Sequence, residues 1–167
     1  NGVLKEYIQR DHLDPRDAGL ATRLCYGVIQ NRNKLDFYLK QLLTGKLSQL
    51  HPVVRDILHL GLYQIYTLDK IPDSAAVNEA VEMTRRSNRP KAAGMVNAVL
   101  RKFVANWMNM PALPGTTADY LSIRYSHPKW LVQRLMDLLG PEEADEYLRM
   151  NNEIVPTTIQ TNLLKTT

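Results

Sequence analysis

The chain has 167 residues, 44% of them hydrophobic and 23% charged, with a formal net charge of +4. This is enough for one ordinary domain, or for one domain and part of another, and it excludes a wholly disordered chain. Charges interrupt every long apolar stretch, which excludes the roughly 20 unbroken residues of a bilayer-crossing helix, and Asn1-Gly2-Val3-Leu4-Lys5-Glu6 lacks an apolar signal core, so a cytoplasmic location is expected.

Helical periodicity dominates from the start. Val3, Leu4, Tyr7 and Ile8 give one apolar stripe. Asp14-Pro15-Arg16-Asp17 is a helix start, with Asp14 at the N-cap, Pro15 at the first helical position and Asp17 favouring the positive end of the dipole. A helix from about Pro15 to Gln30 follows, Asn31-Arg32-Asn33 bends the chain, and a second run from Leu35 to Leu43 ends at Gly45. His51-Pro52 opens a helix whose apolar positions exceed one stripe, with Leu60, Tyr63 and Tyr66 beside Val54, Ile57, Leu58, Leu62, Ile65 and Leu68. It is therefore expected at the centre of the fold. Gly61 in its middle costs about 1 kcal/mol against alanine and implies close approach by a neighbouring helix.

After the turn at Ile71-Pro72-Asp73, helices from about Ser74 to Arg86 and Ala92 to Trp107 carry a repeated phrase, Val77-Asn78-Glu79-Ala80-Val81 and Val96-Asn97-Ala98-Val99-Leu100. Each asparagine lies about 100° off its apolar meridian. Both are expected to act as hydrogen-bonded glue at a helix contact, with Glu79 on the side away from the core. Met110 to Thr117 has the Pro/Gly density of a linker. Beyond it, His127-Pro128 starts a helix with Trp130, Leu131, Leu135, Leu138 and Leu139 as its apolar side. Gly140 stops it, and Pro141 opens one more to about Met150. Val155 to Leu163 is β-prone with no second strand to pair with, as if a sheet were left incomplete.

Chemistry-bearing residues are sparse. Cys25, the single cysteine, is expected as an inert core residue, and His12, His51, His59 and His127 show no metal-ligand spacing, so no metal is expected. The charge is uneven. From Met83 to Ala118 there is no acid, while Arg85, Arg86, Arg89, Lys91, Arg101 and Lys102 supply six positive charges, which leaves about −2 for the rest. These six are the candidate RNA-binding residues, because clustered cations neutralise phosphates without reading sequence; the alternative is a solvated surface on which Arg85 and Arg86, in a last helical turn, complement the helix dipole. Tyr63, Tyr66 and Trp107 are expected in the core rather than stacked on bases.

In order and spacing, "LATRLCYGVIQNRNKLD", "LHLGLYQIYTLDKIPDSAAVNEAVEMTRR", "AGMVNAVLRKF" and "YSHPKWLVQRL…NNE" resemble the N-terminal region of the Sun/RsmB family of bacterial ribosomal RNA cytosine-5 methyltransferases. That resemblance implies an all-α, NusB-like bundle of two packed helical sub-bundles over residues 1–110. It further implies a linker at 111–117 and, over 118–167, the truncated start of the methyltransferase part with one terminal β-prone strand. Within the motifs, Gly61, Tyr63, Gln64, Pro72, Asn78, Glu79, Gly94 and Asn97 are the structural-motif residues. The family's glycine-rich S-adenosylmethionine loop and its Pro-Cys nucleophile are not in this sequence, so no catalytic residue is carried over and the cofactor is expected only in a missing catalytic domain. The family also begins with a basic helix ahead of Asn1, and Gln160 stands where it more often has arginine.

The expected function is to bind and position ribosomal RNA for such an enzyme, with the enzyme's own catalytic domain as a second partner. A protein-interaction module and a free-standing NusB-type antitermination factor are the alternatives.

Overall fold

The computed structural model describes residues 2–106, 110 and 117–153. Among them the fold is all-helical, with no strand. The helices are α1 (Gly2–Arg10), α2 (Pro15–Gln30), α3 (Arg32–Leu42), α4 (Pro52–Thr67), α5 (Asp73–Arg86), α6 (Ala93–Asn106), α7 (Ala118–Tyr125), α8 (Lys129–Leu139) and α9 (Pro141–Asn151). None is long and apolar enough to cross a membrane. Trp107, most of the expected linker and the expected strand at 155–163 lie outside the described residues.

Local chemistry sets the boundaries. Asp14 accepts a hydrogen bond from the Asp17 amide at 2.8 Å, and Pro15 follows at the first helical position. Gly140, at φ +86°, ends α8 and leads into Pro141 of α9. Helix α7 has no counterpart among the sequence expectations, because Ala118-Asp119-Tyr120-Leu121 has no long period to betray it. Thr117 caps it by accepting from the Tyr120 amide at 3.3 Å.

Helix α4 is the centre, and α2, α3, α5 and α6 all pack on it. Its buried residues, from Val54 to Ile65, spread round the helix as the wide apolar pattern requires. Two glycines set how close its neighbours come. A Cβ on Gly61 would lie 2.7 Å from Leu100 Cδ1 on α6, and one on Gly27 of α2 would lie 2.1 Å from the Tyr63 ring on α4. Val96, Val99, Leu100 and Phe103 of α6 and Ala76, Val77 and Ala80 of α5 complete this core. Buried Thr84 satisfies its hydroxyl on the Ala80 carbonyl at 2.7 Å, one turn back along its own helix.

A second, smaller core joins Ala118, Leu121, Tyr125, Val132 and Leu148. Three segments far apart in sequence meet where it abuts α3. Asn33 Nδ2 donates to the carbonyls of Ser122 (3.4 Å) and His127 (3.3 Å), and the Lys34 amide donates to Ser126 Oγ (3.3 Å). His127 Nδ1 donates to the Tyr125 carbonyl at 2.8 Å, which leaves Nε2 to accept from Asn151 Nδ2 at 2.9 Å. Asn152 Nδ2 donates to the same Tyr125 carbonyl at 2.9 Å. Ser126 takes a left-handed conformation, φ 55°, and this web of bonds holds it there.

Two expectations need correction, and the first helix is less covered than the others. Cys25 is on a helix but exposed, since α2 turns Gly27 and not the cysteine toward α4. The apolar stripe of α1 is only partly covered, with Leu4 and Ile8 half-buried and Val3 68% exposed. In α8 only Val132 is buried, while Trp130 (72%) and Leu138 (67%) are exposed. The helix meets its neighbours through one narrow face.

Gly27→Ala is expected to cost about 1–3 kcal/mol in urea unfolding, since the added methyl overlaps a packed ring. Combining it with Tyr63→Leu should remove most of that cost; a stabilising Gly27→Ala would disprove the close approach. His59, buried and 2.8 Å from Asp36, has its pKa lowered from 6.5 mainly by burial, with Asp36 opposing. Between the folded value and about 6.5 the unfolded chain binds more protons, so stability should fall as pH drops through that window. Urea midpoints at pH 7 and pH 5 test this, with a shallower dependence expected in His59→Gln.

Candidate nucleic-acid interface

Helices α5 and α6 turn their apolar faces to α4 and leave a groove of about 480 Å³ between their outer sides. The two asparagines of the repeated phrase converge there. Asn78 and Asn97 line the groove with Glu79, Glu82, Arg85, Gly94 and Arg101. Neither is buried glue: Asn78 is exposed, and half-buried Asn97 accepts from Arg101 Nε at 2.9 Å. A step of 100° from the meridian carries a side chain to the open edge of this pair, not into its contact. Gly94 is exposed and a Cβ there would meet nothing within 4 Å, so no close packing requires it. Gln64 donates to the Leu60 carbonyl at 3.1 Å on its own helix, and Pro72 stands at the start of α5.

The acid-free run in sequence is not acid-free in space. Glu82, one residue upstream of it, reaches forward one turn to Arg86 Nε at 2.9 Å and to Arg85 Nη1 at 3.7 Å. These exposed pairs contribute little to stability, but they offset Arg85, which lines the groove, and Arg86 beside it. Lys102 is elsewhere, its Nζ donating to the Leu42 carbonyl at 3.5 Å, where a cation complements the C-terminal end of α3.

Arg89 and Lys91 belong to a different hollow, of about 550 Å³, between the start of α4 and the turn into α6. Gln49, His51, Asn88, Arg89 and Lys91 supply its polar groups, Leu50, Val54, Ala92 and Met95 are among its apolar lining, and no carboxylate lines it. His51 occupies the N-cap of α4 without a side-chain capping bond, so the positive end of that helix dipole adds to the two cations. The structure therefore splits the six predicted cations. Arg85 and Arg101 share the mixed-charge groove, Arg89 and Lys91 share the acid-free hollow, and Arg86 and Lys102 are engaged outside both. Gln49 and His51 escape a sequence reading as site residues, because their distance from Arg89 along the chain hides a proximity made only by α4 packing on α5 and α6. Among the described residues, no group of three His, Cys, Asp or Glu side chains could hold a metal ion.

Because Asn78 faces solvent, Asn78→Leu should change unfolding free energy by less than about 0.5 kcal/mol. A destabilisation of about 1–3 kcal/mol would restore the buried-amide reading.

The NusB family matches residues 1–105. The chain is also 34% identical over 165 residues to the probable ribosomal RNA small subunit methyltransferase B of Bacillus subtilis (strain 168), a match covering 99% of this chain and 37% of that protein. It is 33% identical over 148 residues to the ribosomal RNA small subunit methyltransferase B of Klebsiella pneumoniae subsp. pneumoniae, covering 88% and 33%. It is 30% identical over 159 residues to the probable enzyme of that name from Synechocystis sp., covering 95% and 36%. The chain thus spans about a third of the length of these curated relatives. An all-helical bundle centred on α4, matched by one family over well more than half of its residues, makes the chain a member of the NusB family.

Proposed function

We propose that this chain is the RNA-binding and RNA-positioning region of a ribosomal RNA small subunit methyltransferase, acting on RNA through the Arg89–Lys91 edge of the bundle. The observation that carries the reading is the hollow with two cations, a helix N-terminus and no carboxylate, in a chain whose relatives bear that enzyme's name. Phosphates approach such a surface without opposing charge, whereas at Arg85 and Arg86 they would also meet Glu82. Contacts of this kind hold RNA in place, and base readout needs further groups.

The proposal takes residues 1–110 as a NusB-like unit of two sub-bundles, 111–117 as the linker and 118–167 as the beginning of the methyltransferase part. The two separate core clusters support that division. S-adenosylmethionine, the methyl donor that the family resemblance implies, does not fit the described residues. Their glycines lie singly, in helices, at helix ends or, for Gly45, in the loop after α3, and form no glycine-rich strand-to-helix turn. No step is routed through that cofactor, and no residue of this chain is assigned to catalysis.

A second reading has one observation in its favour. The α5/α6 groove presents both charge signs and two amides, a lining better matched to a polypeptide than to a phosphate chain, and the enzyme's own catalytic domain would be its partner. A free-standing antitermination factor is less well supported, because similarity to the methyltransferases extends past residue 105 over 99% of the chain.

Filter binding of the chain to a structured fragment of small-subunit ribosomal RNA, across a salt series, tests the primary reading. Affinity should fall steeply with salt, and Arg89→Ala with Lys91→Ala should flatten the log–log slope by about 1.4–1.8, at roughly 0.7–0.9 for each phosphate no longer neutralised. Arg85→Ala with Arg86→Ala should change it less. Salt-insensitive binding, or an unchanged slope in the Arg89/Lys91 variant, would contradict the proposal.

A further inference from the structure

We infer that the hollow between the start of α4 and the turn into α6 receives a single unstacked nucleotide, its base on the apolar lining and its phosphate at Arg89 and Lys91. The inference rests on the RNA reading above and deepens it. A surface built only for backbone phosphates needs cations and no depth. This one is a concavity of about 550 Å³, within the range of small-molecule sites, and its lining includes Leu50, Val54, Ala92 and Met95. Apolar lining within a cationic hollow suits a ligand with one charged end and one flat, weakly polar body. A nucleotide has that form, and inorganic phosphate does not.

The polar groups are distributed to match. Arg89 and Lys91 lie on the side of the turn into α6, where a phosphate would sit, and Asn88 and Gln49 offer amides that can both donate and accept to a base edge. Met95 supplies a polarisable thioether for contact with an aromatic face, and the His51 imidazole supplies a flat ring. Nδ1 of His51 is buried without a hydrogen-bond partner among the described residues, so turning the ring toward the hollow would break no bond at that atom. A base can enter only when it is out of the stack, which favours loops and bulges over continuous duplex. Nothing comparable marks the α5/α6 groove, where Glu79 and Glu82 share the lining with the arginines.

The test compares two RNA hairpins of equal length and charge, one continuously paired and one with a single bulged nucleotide, binding to the full chain. The bulged hairpin should bind about tenfold more tightly, within the range for one accommodated base. Ala92→Leu, which narrows the hollow and keeps both cations, should erase that preference and leave the salt slope unchanged. In parallel, NMR of methyl-labelled wild-type protein should show the Met95 signal shifting with adenosine or uridine 5′-monophosphate and not with inorganic phosphate, a readout that does not depend on any variant folding. Equal, salt-dependent affinity for both hairpins would overturn the nucleotide pocket and leave the RNA reading standing. A Met95 shift with phosphate alone equal to that with nucleotides would also overturn it. Absence of salt-dependent binding to either hairpin would sink both.

Discussion

The packing of α4 against its neighbours is the constraint on which the rest depends. Two glycines, Gly27 on α2 and Gly61 on α4, remove the Cβ atoms that would otherwise strike Tyr63 and Leu100. Without them the helices could not close around the shared core of Leu58, Leu62, Val96 and Phe103. That closure brings His51 at one end of α4 beside the Arg89–Lys91 turn, which lies far along the chain from it. The site is thus a product of tertiary packing as much as of local charge.

Electrostatics then separates surfaces that look alike in one dimension. The stretch from Met83 to Ala118 carries six cations and no acid, yet its first two arginines lie one helical turn beyond Glu82 and pair with it. Arg101 is held by Asn97, and Lys102 caps α3. Among the described residues, the Arg89–Lys91 hollow combines two of the six cations with a lining free of carboxylates. Low dielectric walls and an uncapped helix start concentrate field there, so a modest net charge of +4 can still present a strongly anion-seeking spot; a second acid-free hollow, lined by Lys40, Lys46 and Arg55, lies outside the six-cation stretch.

Much of the fold is legible in the sequence because its signals are local and periodic. Asp14-Pro15 marks the start of α2 and Gly140-Pro141 the break between α8 and α9, since caps and turns depend on a few adjacent residues. Wide apolar patterning marks α4 as central, and Gly61 in its middle points to the contact that Leu100 makes. What escapes depends on partners that a sequence does not display. Cys25 and Trp130 read as core by composition but face outward, because only one face of α2 and of α8 is covered. The paired asparagines read as glue from an angle that equally well describes a groove edge, and only the position of α4 decides between the two. His51 is visible as a helix start, while its place beside Arg89 is not.

The central claim is that RNA meets this bundle at the Arg89–Lys91 hollow and not at the α5/α6 groove. Ultraviolet cross-linking of the full chain to ribosomal RNA, with the attached peptides identified by mass spectrometry, measures this most directly. The account predicts cross-links within residues 49–54 and 88–95, and cross-links confined to 78–86 and 97–101 would contradict it.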